Sequence, residues 1–202
     1  SKAENGYASD AFNQFLANIP VVAARVQSQY NGSTYPQTGF LEGNPLGGTA
    51  YNPEVGSVSQ TSSDVLIPAF LAAYSGYDVN KVTLSHFPGL ESMRPNWRVT
   101  YDGFINLGNM RNIFKKFTVS HAYQCTYSIG SYSSYMNWIG IDGDLGFIQD
   151  EQSQQPIPSS PFNISSVAIT EKFAPLIGLS VTFNNEITLN TEYRDSRTLN
   201  LN

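Results

Sequence analysis

Charge is scarce in this chain: only 13% of its 202 residues are Asp, Glu, Lys or Arg, about half the ~25% of an average soluble domain. Cysteine is nearly absent. Cys125 stands alone, so no internal disulfide can form and the small stapled scaffolds are excluded. Lys, Glu and Leu are too few for a helical bundle or coiled coil. Long apolar runs are missing as well. The longest, Val65 to Tyr74, is interrupted by Pro68 and falls far short of the ~20 residues of a membrane-crossing helix. The first residues, Ser-Lys-Ala-Glu-Asn, have neither a basic n-region nor an apolar h-region, so no signal peptide is expected. A net charge of -5 with 11 Lys and Arg makes nucleic acid an unsuitable partner, because phosphate neutralisation needs clustered cations. In place of charge stand Ser, Asn, Thr and Gly together with 12 Tyr, 12 Phe and 2 Trp. That many aromatics excludes disorder and leaves a β-rich, neutral chain.

Along the chain, Ser9 to about Tyr30 predicts a helix. Ser9 is the expected N-cap, and Phe12, Phe15, Leu16, Ile19, Ala23 and Val26 form its apolar stripe, with Pro20 expected to kink or split it. Residues 31–60 carry no period and are expected to be loop. A second, short helix is predicted from Asp64 to about Tyr74, capped by Ser63 or Asp64 and stopped by Gly76.

The pattern changes at Trp97, where Trp97, Val99 and Tyr101 alternate with Arg98, Thr100 and Asp102, the period of a strand with two unlike faces. A longer alternation runs from Lys116 to about Trp138. Its odd positions include Phe117, Val119, His121, Tyr123, Cys125 and Tyr127; its even positions are Thr118, Ser120, Ala122, Gln124, Thr126 and Ser128. After a patternless stretch at about 140–163, the pattern resumes at Ile164 and passes through Val167, Ile169, Ile177, Leu179, Val181 and Phe183, with Gly178, Ser180 and Thr182 between the last four. Asn184-Asn185 predicts a two-residue hairpin turn. Beyond it, Ile187, Leu189, Thr191 and Tyr193 alternate with Thr188, Asn190, Glu192 and Arg194, and the pattern is still running at Asn202. The chain therefore reads as a piece of something larger.

These strands exceed both the 5–6 residues usual in soluble sheets and the ~9–11 that cross a bilayer. Their polar face suits a wet lumen, and short and long connections alternate as in outer-membrane barrels. The expected fold class is all-β, with short helices near the N-terminus: a segment of a large antiparallel transmembrane β-barrel. Residues 1–96 are expected to form a helical and loop cap or insert at the extracellular end. Residues 97–202 are expected to supply transmembrane strands, with a long extracellular loop at about 140–163 and the Asn184-Asn185 turn in the periplasm. Lumen-facing positions would be Thr118, Ser120, Gln124, Thr126, Ser128, Ser180, Thr182, Thr188, Asn190, Glu192 and Arg194. Girdle aromatics at the lipid headgroups would be Trp97, Tyr101, Tyr123, Tyr127, Trp138, Phe183 and Tyr193.

Motifs for chemistry are weak. His86 and His121 have neither zinc nor triad spacing, and His121 is expected to pack on its apolar face. Cys125 has no activating neighbour in sequence and reads as a buried or lipid-facing thiol. Asp142-Gly143-Asp144 with Asp150 and Glu151 faintly suggests a calcium loop, but the third ligand and the closing glutamate are out of register. Gly43 to Gly48 lacks the Lys-Ser/Thr ending of a phosphate loop. Glu171, Lys172, Glu192, Arg194, Asp195 and Arg197 are expected to pair across a hydrated face. No catalytic residue, metal or cofactor is assigned, and no enzyme activity is expected.

Several phrases in order carry a resemblance. Asp64-Val65-Leu66-Ile67-Pro68-Ala69-Phe70-Leu71-Ala72-Ala73-Tyr74 is followed by Pro95-Asn96-Trp97-Arg98-Val99-Thr100-Tyr101-Asp102-Gly103. Then come Ser120-His121-Ala122-Tyr123, Tyr127-Ser128-Ile129-Gly130-Ser131-Tyr132, Phe173-Ala174-Pro175-Leu176-Ile177-Gly178 and Ser196-Arg197-Thr198-Leu199-Asn200-Leu201. Over residues 64–202 the chain resembles the C-terminal part of the SprA/Sov family, giant outer-membrane translocons of the type IX secretion system that also serve gliding motility. The resemblance implies part of a protein-conducting channel that exports folded proteins to the cell surface, located in the bacterial outer membrane with loops outside. Implied partners are the remainder of the same barrel, a periplasmic plug protein, a lipoprotein-shuttle barrel, secreted cargo with C-terminal sorting domains, and outer-membrane lipid. The rival expectation is a soluble β-sandwich adhesin or glycan-binding module with Tyr-rich loops.

Overall fold

The computed structural model describes residues 10–89 and 94–202. The chain is mostly β-sheet with two short helices. In order these are α1 (Asp10–Gln29), α2 (Ser63–Ser75), β1 (Trp97–Tyr101), β2 (Phe114–Ser134), β3 (Ile139–Asp142), β4 (Leu145–Gln149), β5 (Pro156–Ser159), β6 (Phe162–Phe183) and β7 (Thr188–Leu201). Two compact units result. Of the described residues, 10–89, 129–167 and 201–202 belong to one, and 94–128 with 168–200 to the other.

In the first unit α1 runs through Pro20 without splitting; the proline removes only its own bond to the Leu16 carbonyl. The expected stripe holds in part: Ala23 and Val26 are buried, and Phe15 and Ile19 pack against the core. Phe12 and Leu16 are half-exposed, and Asn18, Val22, Ala23 and Val26 are the buried line. The expected cap, Ser9, lies outside the described residues. Helix α2 is apolar nearly all round and buried along most of its length, as a central helix must be. Ser62 is its N-cap, one residue earlier than expected, and makes no side-chain cap bond. Gly76 ends it in the left-handed region (φ 70°), its N–H donating to the Ala72 carbonyl at 3.1 Å; glycine adopts that conformation without a Cβ penalty.

Residues 140–163, patternless by composition, contain β3, β4 and β5. These form a three-stranded antiparallel sheet with β4 in the middle. Pro156 and Pro158 sit in edge strand β5, where a missing N–H costs little. Phe147 of β4 is fully buried, with the rings of Tyr30, Tyr35 and Tyr51 around it at centroid distances of 4.9–5.6 Å. Segment 31–60 is irregular, as expected, yet firmly held. The Gln27 amide donates to Tyr51 Oη at 2.6 Å and accepts from the Val58 N–H at 2.9 Å, while Tyr51 donates to the Gly56 carbonyl at 2.8 Å.

The second unit holds one antiparallel sheet in the order β1-β2-β6-β7. Strand β1 pairs in the register Trp97↔Tyr123, Val99↔His121 and Tyr101↔Val119. The sheet does not close on itself, so no closed barrel is seen; β1 and β7 are its edges. Strand β2 starts two residues before the expected Lys116 and stops at Ser134 rather than near Trp138. The β6–β7 turn has three residues, not two. The Phe183 N–H meets the Ile187 carbonyl at 2.9 Å, the Glu186 N–H meets the Phe183 carbonyl at 2.9 Å, and Glu186 itself has φ 69°. That is a type I turn followed by a left-handed residue.

Candidate functional site: a sheet with two unlike faces

Because successive side chains of a strand point to opposite sides, the alternation seen in sequence becomes two surfaces. On the odd-numbered face, Trp97 stacks on Tyr123 at 4.3 Å and Tyr123 meets Phe173 at 4.9 Å. His121 lies between Trp97 and Phe173, with its Nδ1 2.7 Å from the Leu176 carbonyl oxygen. It packs, as expected. Trp97, Val99, Tyr101, Leu189 and Tyr193 on this face are all between 41% and 64% exposed, although they are large and apolar or aromatic.

The even-numbered face is a ladder of small polar groups. Thr182 and Thr188 share a hydrogen bond of 3.1 Å, Ser180 donates to Asn190 Oδ1 at 2.6 Å, and Thr170 and Thr198 share one of 3.1 Å. Glu192 and Arg194 form an ion pair along β7. Ser120 continues the face onto β2, its hydroxyl occupying the space that a side chain at Gly178 would need. Thr118, Gln124, Thr126 and Ser128 follow Ser120 by strand parity, the last three of them exposed.

The aromatics divide. Trp97, Tyr101, Tyr123 and Tyr193 share the odd face, and Tyr127 follows them along β2. Phe183 meets Phe114 at 5.1 Å near the hairpin end. Trp138 stands apart from them. It follows the end of β2, donates its indole N–H to the Ser159 carbonyl at 2.9 Å and covers Gly140 of the small sheet.

Two charged clusters were not visible as clusters in the sequence. Glu171, 2% exposed, accepts hydrogen bonds from the Tyr123 hydroxyl and, at 2.6 Å, from Arg197 Nε; Arg94 Nη1 is 3.6 Å away. In the first unit, buried Asp64 accepts from the Ser160 N–H at 3.1 Å and lies 2.9 Å from His86 Nε2. Cys125 has a half-buried side chain, and its own N–H donates to Asn96 Oδ1 at 2.7 Å. Asp142 and Asp144 flank the β3–β4 turn, whereas Asp150 accepts from the Ser153 N–H and hydroxyl at 2.7 Å each. Those bonds hold its carboxyl below the ordinary range. Among the described residues no three His, Cys, Asp or Glu converge as a metal-ligand group. No helix of the described residues is long and apolar enough to cross a membrane, which says nothing about strands. No protein-family model matches the chain, and no curated protein matches its sequence.

Proposed function

We propose that this chain is a length of wall from a large outer-membrane β-barrel that conducts folded proteins to the cell surface, as the SprA/Sov translocons of type IX secretion and gliding motility do. The observation that carries the proposal is the pairing of an exposed aromatic face with a hydroxyl face on the same long strands. A soluble sheet buries its apolar side against a second layer, and large exposed apolar patches mark contact with a partner or a membrane. The 14 residues of β7 reach about 46 Å at ~3.3 Å per residue, well beyond the ~30 Å of bilayer hydrocarbon.

The register supports an assignment of depth. The apolar part of the odd face lies level with Phe114 to Tyr123, roughly ten residues, which is what a tilted strand needs to cross. The Glu171–Arg94–Arg197 group comes just after that band, at the end of the sheet away from the 184–187 turn. In this reading it lies at the headgroups, residues 140–163 lie outside the cell, and the turn faces the periplasm. The polar face lines the conduit, and edges β1 and β7 pair with the remainder of the barrel. The plug, the lipoprotein-shuttle barrel and the cargo with its C-terminal sorting domains are the partners proposed with it.

Single cysteines at positions 188–193, in a Cys125→Ser background reconstituted in bilayers, test the proposal. A charged maleimide should modify the even positions and spare the odd ones, which should instead react with a bilayer-soluble reagent. Equal aqueous labelling at both parities would contradict it.

A further inference from the structure

On the polar face, the register aligns Arg98 of β1 with Ala122 of β2, and the Tyr123–Phe173 contact puts Ala174 of β6 next in that row. In the adjacent row lie Asn96, Gln124 and Lys172. These six residues, together with Trp97 and Tyr123, line a shallow, open bay of about 380 Å³. Its floor is low because it is made of two alanines. Arg98 and Lys172 rise on opposite sides, on strands about 10 Å apart at ~4.8 Å per step; both side chains are exposed, and both are long enough to close over an anion between them. Among the described residues neither forms an ion pair. Asn96 uses its Oδ1 on the Cys125 N–H, which leaves its amide NH2 group as the donor toward the bay.

We propose that the Arg98–Lys172 bay is a binding site for an extended, acidic polypeptide segment. One carboxylate sits between guanidinium and ammonium, and the Asn96 and Gln124 amides bond the backbone beside it. A charge-assisted, two-sided clamp is the arrangement by which Arg and Lys hold carboxylates. A peptide is favoured over a lipid headgroup because both cations share strand parity with the hydroxyl face, although Trp97 and Tyr123, which stack on the other face, also line the bay. The site is built by the register of β1, β2 and β6 and does not depend on the sheet's lying in a membrane.

The test is fluorescence anisotropy of a labelled, alternating Ser/Asp peptide with the whole chain in zwitterionic micelles, against an alternating Ser/Lys peptide. The Asp peptide should bind, more weakly as salt rises, and the Lys peptide should not. Arg98→Gln with Lys172→Gln should weaken binding about tenfold or more, while Lys116→Gln leaves it unchanged. Arg98→Glu with Lys172→Glu should bind the Lys peptide instead, a gain that misfolding cannot produce. Unchanged Asp-peptide binding in the double Gln variant overturns the proposal. So does phosphatidylglycerol binding that requires both cations while the Asp peptide fails to bind.

Discussion

Phe147 is held by groups that arrive from far along the chain: Tyr30 from the end of α1, Tyr35 and Tyr51 from the irregular segment. Removing a fully buried ring leaves a cavity as well as lost contacts. Phe147→Ala should therefore cost the first unit about 3–5 kcal/mol, seen as a lowered denaturant midpoint in near-ultraviolet dichroism, whereas a change below about 1 kcal/mol would mean the tyrosine cage is not the core. The same cage predicts a pH response. Burial pushes the Tyr30 phenol above its ordinary 10.0, opposed by the Gly146 N–H, and burial raises Tyr35 and Tyr51 too. In the unfolded chain these phenols ionise near pH 10, while in the fold they stay protonated. Their contribution is thus complete below pH 10 and lost as pH rises beyond it. Stability should be flat from pH 7 to 9 and fall above 10, with phenolate absorbance appearing together with unfolding; full phenolate absorbance in the folded protein would refute this. Glu171 shows where residue-level legibility stops. Its charge and its place in a strand were evident, but its burial depends on Tyr123 and Arg197 from two other strands, which no local pattern records.

Among the elements, the long strands were legible because period two had room to accumulate. Trp97–Tyr101 emerged with its expected limits, and β2, β6 and β7 within a few residues of theirs. The small sheet was not legible. Its strands have four or five residues, too few for alternation to stand out, and the prolines of β5 argued against a strand until its edge position was known. The hairpin was legible in place but not in type: the two asparagines drew the expected positive φ to themselves, and Glu186 carries it. A left-handed non-glycine residue costs about 1–2 kcal/mol, and the exposed Lys115–Glu186 pair at 3.3 Å returns only a few tenths. Glu186→Gly should accordingly stabilise the β6–β7 hairpin by about 0.5–1 kcal/mol, read as a higher unfolding midpoint; a lower midpoint would show that the ion pair matters more than the backbone.

At the scale of the whole molecule the two units differ in kind. The first has a closed core of helices, aromatic cage and small sheet, as a soluble domain does. The second is one sheet with two open edges and large apolar side chains exposed on one of its faces. Low charge and abundant aromatics are common to both and could not separate them in the sequence; only the partition of side chains into two faces does. The two tryptophans fall one in each unit, which makes them separate reporters: Trp97 on the exposed aromatic face, Trp138 over Gly140 of the small sheet. The most direct test of a two-solvent wall is the fluorescence of Trp138→Phe and Trp97→Phe variants in bilayers containing brominated acyl chains. Trp97 should be quenched by the brominated lipid and protected from aqueous iodide, and Trp138 should ignore the lipid; Trp97 quenched by iodide and untouched by bromine would contradict the membrane wall.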